Sequence, residues 1–296
     1  GRWYAVSLVA AAVAAGVPAL DASAATHSAR VVSGRSRCAS VGVRTPRARR
    51  ASALSCRPIA QNPSWRRYVL DQGTGLVYPK HVYIVGDPSA VHNPTGLEAP
   101  GGGVTTIHAT GPGSPQLVLD LGINTGGYVE VGITKSDGTT VHLGYSEARR
   151  FLTPNGDNLN DPSQGDPGPR SEDLSAVGDW RSSGIRGAER WISLQLQSAG
   201  TVSIDYVRVR EEHLRPSIGD YTGHFLSSDD QLNRVWYASV YTFALDSWRT
   251  DGNGNWNAGK WVIFDGAKRD RNVWLGDLAI ENMLGGYALR QASSVI

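Results

Sequence analysis

The sequence predicts a β-then-α protein: an antiparallel, jelly-roll-like β-sandwich followed by the truncated start of a helical domain. Three observations carry that expectation. Short β-rich runs separated by Gly and Ser turns fill the middle of the chain. At Phe225 the apolar period changes from two residues to helical spacing. The 35 Gly and 15 Pro among 296 residues favour many turns over long helices. Apolar residues make up 40% of the chain and include nine Trp, enough material for a packed core.

The first 24 residues read as an export signal. Arg2 precedes an apolar run from Trp3 to Ala15, and Ala22-Ser23-Ala24 offers small residues before a cleavage point. The run is too short and too Ala-rich for a stable membrane span. No Met opens the chain, so a start further upstream is expected. Residues 25–62 are rich in Arg, Ser and Ala and have no structural period, as in a disordered linker or a basic arm. Cys38 and Cys56 both lie there, so a disulfide between them would staple only that segment.

Charge is divided along the chain. The formal net charge is +2, yet residues 26–67 hold ten Arg and no Asp, Glu or Lys. Residues 68–296 carry 18 Lys and Arg against 26 Asp and Glu, a net of −8. An acidic folded part gives no support to a nucleic-acid partner.

The sandwich is expected over residues 63–221. Leu117–Leu121 and Tyr128–Ile133 are β-rich runs separated by Gly126-Gly127, and Ser136-Asp137-Gly138 reads as a hairpin turn into Thr139–Leu143. Ser198-Ala199-Gly200 joins Trp191–Leu196 to Thr201–Arg210. In that second run the apolar set slips by one near Tyr206-Val207, the mark of a bulge or of a strand covered on both faces. Residues 151–188 read as a long polar loop. Its acidic run from Asp157 to Asp166 lacks the ligand spacing of a calcium loop.

The helical part is expected over residues 222–296. Ser228-Asp229-Asp230-Gln231 has capping-box spacing, and Leu232, Val235, Trp236, Val240 and Phe243 follow at helical intervals. Helical order returns from Gly276 to about Arg290. One or two helices cannot bury their own apolar faces, so this domain reads as truncated.

The densest polar cluster runs from Asp265 to Asp277, after the apolar segment Trp261–Phe264. Three carboxylates, three cations and a Trp suit a sugar site: the charged groups bind pairs of hydroxyls while the ring covers the apolar face of a pyranose. A surface network of ion pairs has the same composition, and Asp270 in particular could simply pair with Arg269 or Arg271. Lys268 is expected to face solvent. No Ser, His or Cys stands at a spacing that suggests triad chemistry, and no cofactor or metal is implied.

Here the chain resembles a known family. Phe225–Trp236 followed by Asp-Gly-Ala-Lys-Arg-Asp-Arg-Asn-Val-Trp-Leu-Gly-Asp at 265–277 is similar to the opening of the catalytic domain of α-L-rhamnosidases, glycoside hydrolase family 78. Leu119-Asp120-Leu121-Gly122 and Leu143–Arg149 are similar to the sandwich before it. The resemblance covers roughly residues 115–290. It implies the start of an (α/α)6 barrel that inverts the anomeric centre of a terminal α-L-rhamnosyl or similar deoxy-sugar linkage in a secreted enzyme. By motif match Asp270 is the general acid, Asp265 and Asp277 hold sugar hydroxyls, Arg269 supports them, and Trp274 lines the ring pocket. The general base would be a Glu later in the barrel, so the chain given reads as an inactive fragment. Many members carry Glu where this chain has Arg271, and their Trp stands one residue further on. A non-catalytic carbohydrate-binding sandwich is the alternative reading.

Overall fold

A computed structural model describes residues 63–70, 74–157, 170–249, 260–268 and 271–289. The expected export signal, the basic linker with both cysteines, most of the acidic run after Asp157, and the pair Arg269 and Asp270 lie outside the described residues. Among the described residues no helix is long and apolar enough to cross a membrane.

Ten strands form one antiparallel sheet: β1 (Leu76–Val77), β2 (His81–Val85), β3 (Val91–His92), β4 (Thr105–Ala109), β5 (Gln116–Ser136), β6 (Val141–Ser146), β7 (Ser171–Leu174), β8 (Gly178–Arg181), β9 (Arg186–Leu196) and β10 (Gly200–Glu211). The long β5 belongs to two layers. Its first half pairs with β2 and β9, which continue to β6 and β7; its second half pairs with β8 and β10, which continue to β4 and β3. The register breaks between Asp120 and Gly127 let the strand pass from one layer to the other. Gly127 is needed at that passage, because a Cβ there would stand 1.9 Å from the Arg210 carbonyl oxygen. Leu117, Leu119 and Leu121 of one half and Val129, Val131 and Ile133 of the other then share one core with Ile192, Leu194, Val202 and Val207. Each such side chain contributes about 1.5–3 kcal/mol by leaving water.

The helical part has its own core. Helix α1 (Asp230–Asp246) leads into β11 (Ser247–Arg249), which pairs with β12 (Trp261–Ile263), and α2 (Leu275–Ala288) follows. Tyr237, Val240, Phe243 and Ala244 of α1 pack against Ile263, Ala288 and Leu289, and against Trp65 and Tyr68 of the short 3-10 turn Pro63–Tyr68. The Trp65 and Tyr237 rings stack with centroids 5.9 Å apart. Tyr68 donates from its hydroxyl to Asp230 at 2.6 Å, which fixes the entry of α1.

Several local expectations need correction. The turn at Ser136–Gly138 forms, with Gly138 at φ 101°, but it does not close a hairpin: β6 pairs with β7 and β9 in the other layer. The Leu117–Leu121 and Tyr128–Ile133 runs are two halves of one strand. The slip in β10 is a bulge, with register shifts between Ser203 and Tyr206 that turn both Ile204 and Val207 into the core. Residues 151–188 are not one loop, since β7, β8 and the start of β9 lie within them. The expected apolar face of α1 is rotated as well: Leu232 and Val235 are exposed, and Tyr237 and Tyr241 are buried instead.

The cap of α1 is Asp229, one residue beyond the expected Ser228. Its Oδ1 accepts from the Gln231 and Leu232 amides at 2.8 and 3.2 Å. Asp229→Ala is expected to lower stability by about 1 kcal/mol, read as a shift in urea midpoint at unchanged slope.

Candidate functional site

The site is assembled where α1 ends, the segment after β12 turns, and α2 begins. The Phe264 amide donates to the Asp246 carbonyl at 2.8 Å, which pins the last turn of α1 to the exit of β12. The chain then closes on itself. The Asp265 amide donates to the Asn272 carbonyl at 3.0 Å, and the Asn272 amide returns to Asp265 Oδ1 at 2.9 Å. Asp265 therefore uses one carboxylate oxygen to hold its own loop.

Trp274 follows as the N-cap residue of α2. The residue is 54% exposed, and its side chain makes no capping bond. Asp277 lies exposed in the first turn of the helix, where the backbone dipole favours a negative charge. Glu281 stands four residues further on the same helical face.

Two members of this group are absent from the sequence reading. The Asp246 and Glu281 carboxyls hydrogen-bond to each other, and Asp246 also accepts from the Ala267 backbone. Burial pushes Asp246 up to about 7, helped by the Asp265 and Asp277 charges and opposed by the Ala267 contact. Burial pushes Glu281 up to about 9, with Asp246 and Asp277 adding to it. Two carboxyls so close do not both ionise at neutral pH, so they share a proton. The second Glu281 oxygen, Oε2, is buried without a hydrogen-bond partner. Neither residue belongs to the 265–277 block, and the only available signal was the i,i+4 spacing of Asp277 and Glu281.

Asp265, Asp277, Asp246 and Glu281 thus act on one another electrostatically, and Trp274 is exposed at the N-terminus of α2. Arg269 and Asp270 fall in the two-residue interval outside the described residues. Lys268 does not face solvent: its Nζ donates to Asp157 of the sandwich at 2.7 Å, and its side chain is 10% exposed. Among the described residues no three His, Cys, Asp or Glu side chains converge as metal ligands. Chemically, the arrangement offers an exposed Asp277 and a half-buried Asp265 that can accept from hydroxyls, an exposed Trp274, and a buried carboxyl pair that holds a proton.

No known protein family's sequence profile matches the chain, and no curated protein matches it. Solved structures do. The chain is similar to a rhamnosidase from Klebsiella oxytoca with rhamnose bound, at 18% identity and a TM-score of 0.45, over 62% of this chain and 34% of that one. It is similar to a family 78 rhamnosidase of Bacillus sp. GL1 at 19% identity and a TM-score of 0.44, over 59% and 16%. The lectin domain of lectinolysin complexed with Lewis B antigen aligns at 12% identity and a TM-score of 0.29, over 46% and 93%. The matched region spans about a third of the first rhamnosidase and less of the second. The family named from the Asp265–Asp277 block is therefore also found among the structural neighbours.

Proposed function

We propose that this chain carries the sugar-binding end of an exported glycosidase that hydrolyses terminal α-L-rhamnosyl or similar deoxy-sugar linkages with inversion. The supporting observation is that the Asp265 and Asp277 charges act on the buried Asp246–Glu281 pair, on the loop and helix α2 that also carry the exposed Trp274. In this reading Trp274 stacks on the apolar face of the sugar, while Asp265 and Asp277 accept from its hydroxyls with Arg269 in support. Asp270 protonates the leaving oxygen. A second carboxylate about 6.5–9.5 Å away, outside the described residues, activates the water. A proton held by the Asp246–Glu281 pair lowers the negative charge that these buried carboxyls would present to Asp265 and Asp277.

Calorimetric titration of the full chain with L-rhamnose tests the site. Asp265→Ala and Asp277→Ala are each expected to weaken binding by about 10–100-fold, the value of a hydrogen bond to a charged group. Affinity unchanged in both variants would move the sugar to the sandwich and favour a non-catalytic binding module. No detectable binding by the parent chain would remove the sugar reading altogether.

A further inference from the structure

The motif block does not stand alone, because strand β9 of the sandwich carries it on a charged and tightly packed seat. Asp157 lies at the centre, with its side chain 2% exposed. It accepts from Arg170 Nε at 3.1 Å and from Lys268 Nζ at 2.7 Å. Arg170, 3% exposed, also donates from Nη1 to the Gly187 carbonyl at 3.0 Å, so the ion pair is tied to the backbone of β9. Asp157 and Arg170 are themselves fixed by Tyr145 of β6. The Asp157 amide donates to the Tyr145 carbonyl at 2.9 Å, and the Tyr145 amide donates to the Arg170 carbonyl at 2.8 Å.

The backbone contact beside this pair is closer still. A Cβ on Gly187 would fall 1.6 Å from the Ala267 carbonyl oxygen, so only glycine lets β9 reach the loop. Arg271 adds a third tie, from Nη2 to the Ile185 carbonyl at 3.1 Å. Backbone strain marks both sides of the contact. Ala188 at φ 50° and Arg271 at φ 54° occupy the left-handed region without being glycine, a conformation that costs about 1–3 kcal/mol and persists only where surroundings enforce it. Ala267 in turn donates its amide to Asp246. Sandwich, loop and carboxyl cluster are therefore linked through two consecutive residues, Ala267 and Lys268.

We propose that Asp157 is a positioning residue: from the sandwich it clamps residues 264–268 through Lys268 and so sets where Asp265 and the Asp246–Glu281 pair stand. The clamp is one ion pair set beside the Gly187–Ala267 contact and the Arg271–Ile185 bond. Lys268 reaches across the seat between the two cores, and Arg170 neutralises Asp157 from the opposite side. The consequence for sugar binding rests on the function proposed above, whereas the clamp itself does not.

Hydrogen exchange on the full chain separates the two. In Lys268→Met, and in Asp157→Asn, the amides of Phe264, Asp265 and Asn272 are expected to exchange at least tenfold faster, while β5 and β9 keep their protection. Lys268→Arg should restore slow exchange, and the double variant should be no faster than either single one, because both remove the same contact. L-Rhamnose affinity should fall about tenfold in each single variant and return in Lys268→Arg. Loop exchange unchanged in both single variants, or additive effects in the double variant, would overturn the clamp. If Asp157→Asn loses protection everywhere, Lys268→Met decides, since it leaves the Asp157–Arg170 pair intact. Faster loop exchange with no sugar binding by any form would keep the clamp and discard the rhamnoside reading.

Discussion

Under the proposed function, replacing Asp270 with Asn in the complete, active protein is expected to reduce turnover of an α-L-rhamnoside with a poor leaving group by about 10²–10⁴-fold, the usual contribution of a positioned general acid. The amide keeps the size of the side chain but has no proton to give, so affinity for free rhamnose should change little. The effect should shrink as the leaving group improves, because a phenol that leaves readily needs less protonation. Steady-state kinetics on an alkyl and a nitrophenyl rhamnoside measure both. Near-normal turnover on the alkyl substrate would remove Asp270 from the acid role. Asp246 and Glu281, whose carboxyls burial pushes up to about 7 and about 9, would then be the next residues to replace.

Glu281→Gln should change how stability depends on pH. Glu281 at about 9 and Asp246 at about 7 bind protons more tightly in the folded chain than their ordinary values of 4.5 and 3.8 allow. Stability gained from that binding is complete in acid and is lost as pH rises through 7 and 9. The parent chain is therefore expected to lose stability between pH 5 and 9. The Gln variant has no proton to lose at 281 and leaves Asp246 without its nearest like charge. The difference in unfolding free energy, variant minus parent, should rise by about 2–3 kcal/mol over that interval, after discounting for the water that reaches Glu281. Urea midpoints at pH 5, 7 and 9 decide it. Parallel profiles for the two proteins would show that the pair does not share a proton.

Much of the secondary structure was legible because its signals are local. The alternation around Val202 and Ile204 marked a strand, and its slip at Val207 allowed a bulge or a strand covered on both faces; the register shifts decide for the bulge. Helix α2 followed from a run of helix formers with apolar spacing, and its observed span, Leu275–Ala288, lies within two residues of expectation. The cap moved from Ser228 to Asp229 because both residues can accept from the first turn; helix packing against Trp65 and Tyr68 selects between them.

What could not be read locally was which strands pair and which charges are buried. Ser136–Gly138 has the composition of a hairpin, but β6 gains more by joining β9, where Val141, Leu143 and Tyr145 enter the shared core. Lys268 looked solvated because a lone cation in a polar stretch usually is. Its partner Asp157 lies 111 residues earlier, inside a segment that reads as a loop.

The sequence by itself determined the change from strands to helices after the sandwich and the cluster of carboxylates, cations and Trp between Asp265 and Asp277. Only the tertiary structure decided that Asp246 and Glu281 join that cluster and that the sandwich seats it through Asp157, Arg170 and Gly187. The physical reason is the range of the forces. Period, turn and capping preferences act over a few residues and leave their mark in the sequence. The cost of burying a charge is repaid by whichever opposite charge folding brings near, however distant it is along the chain.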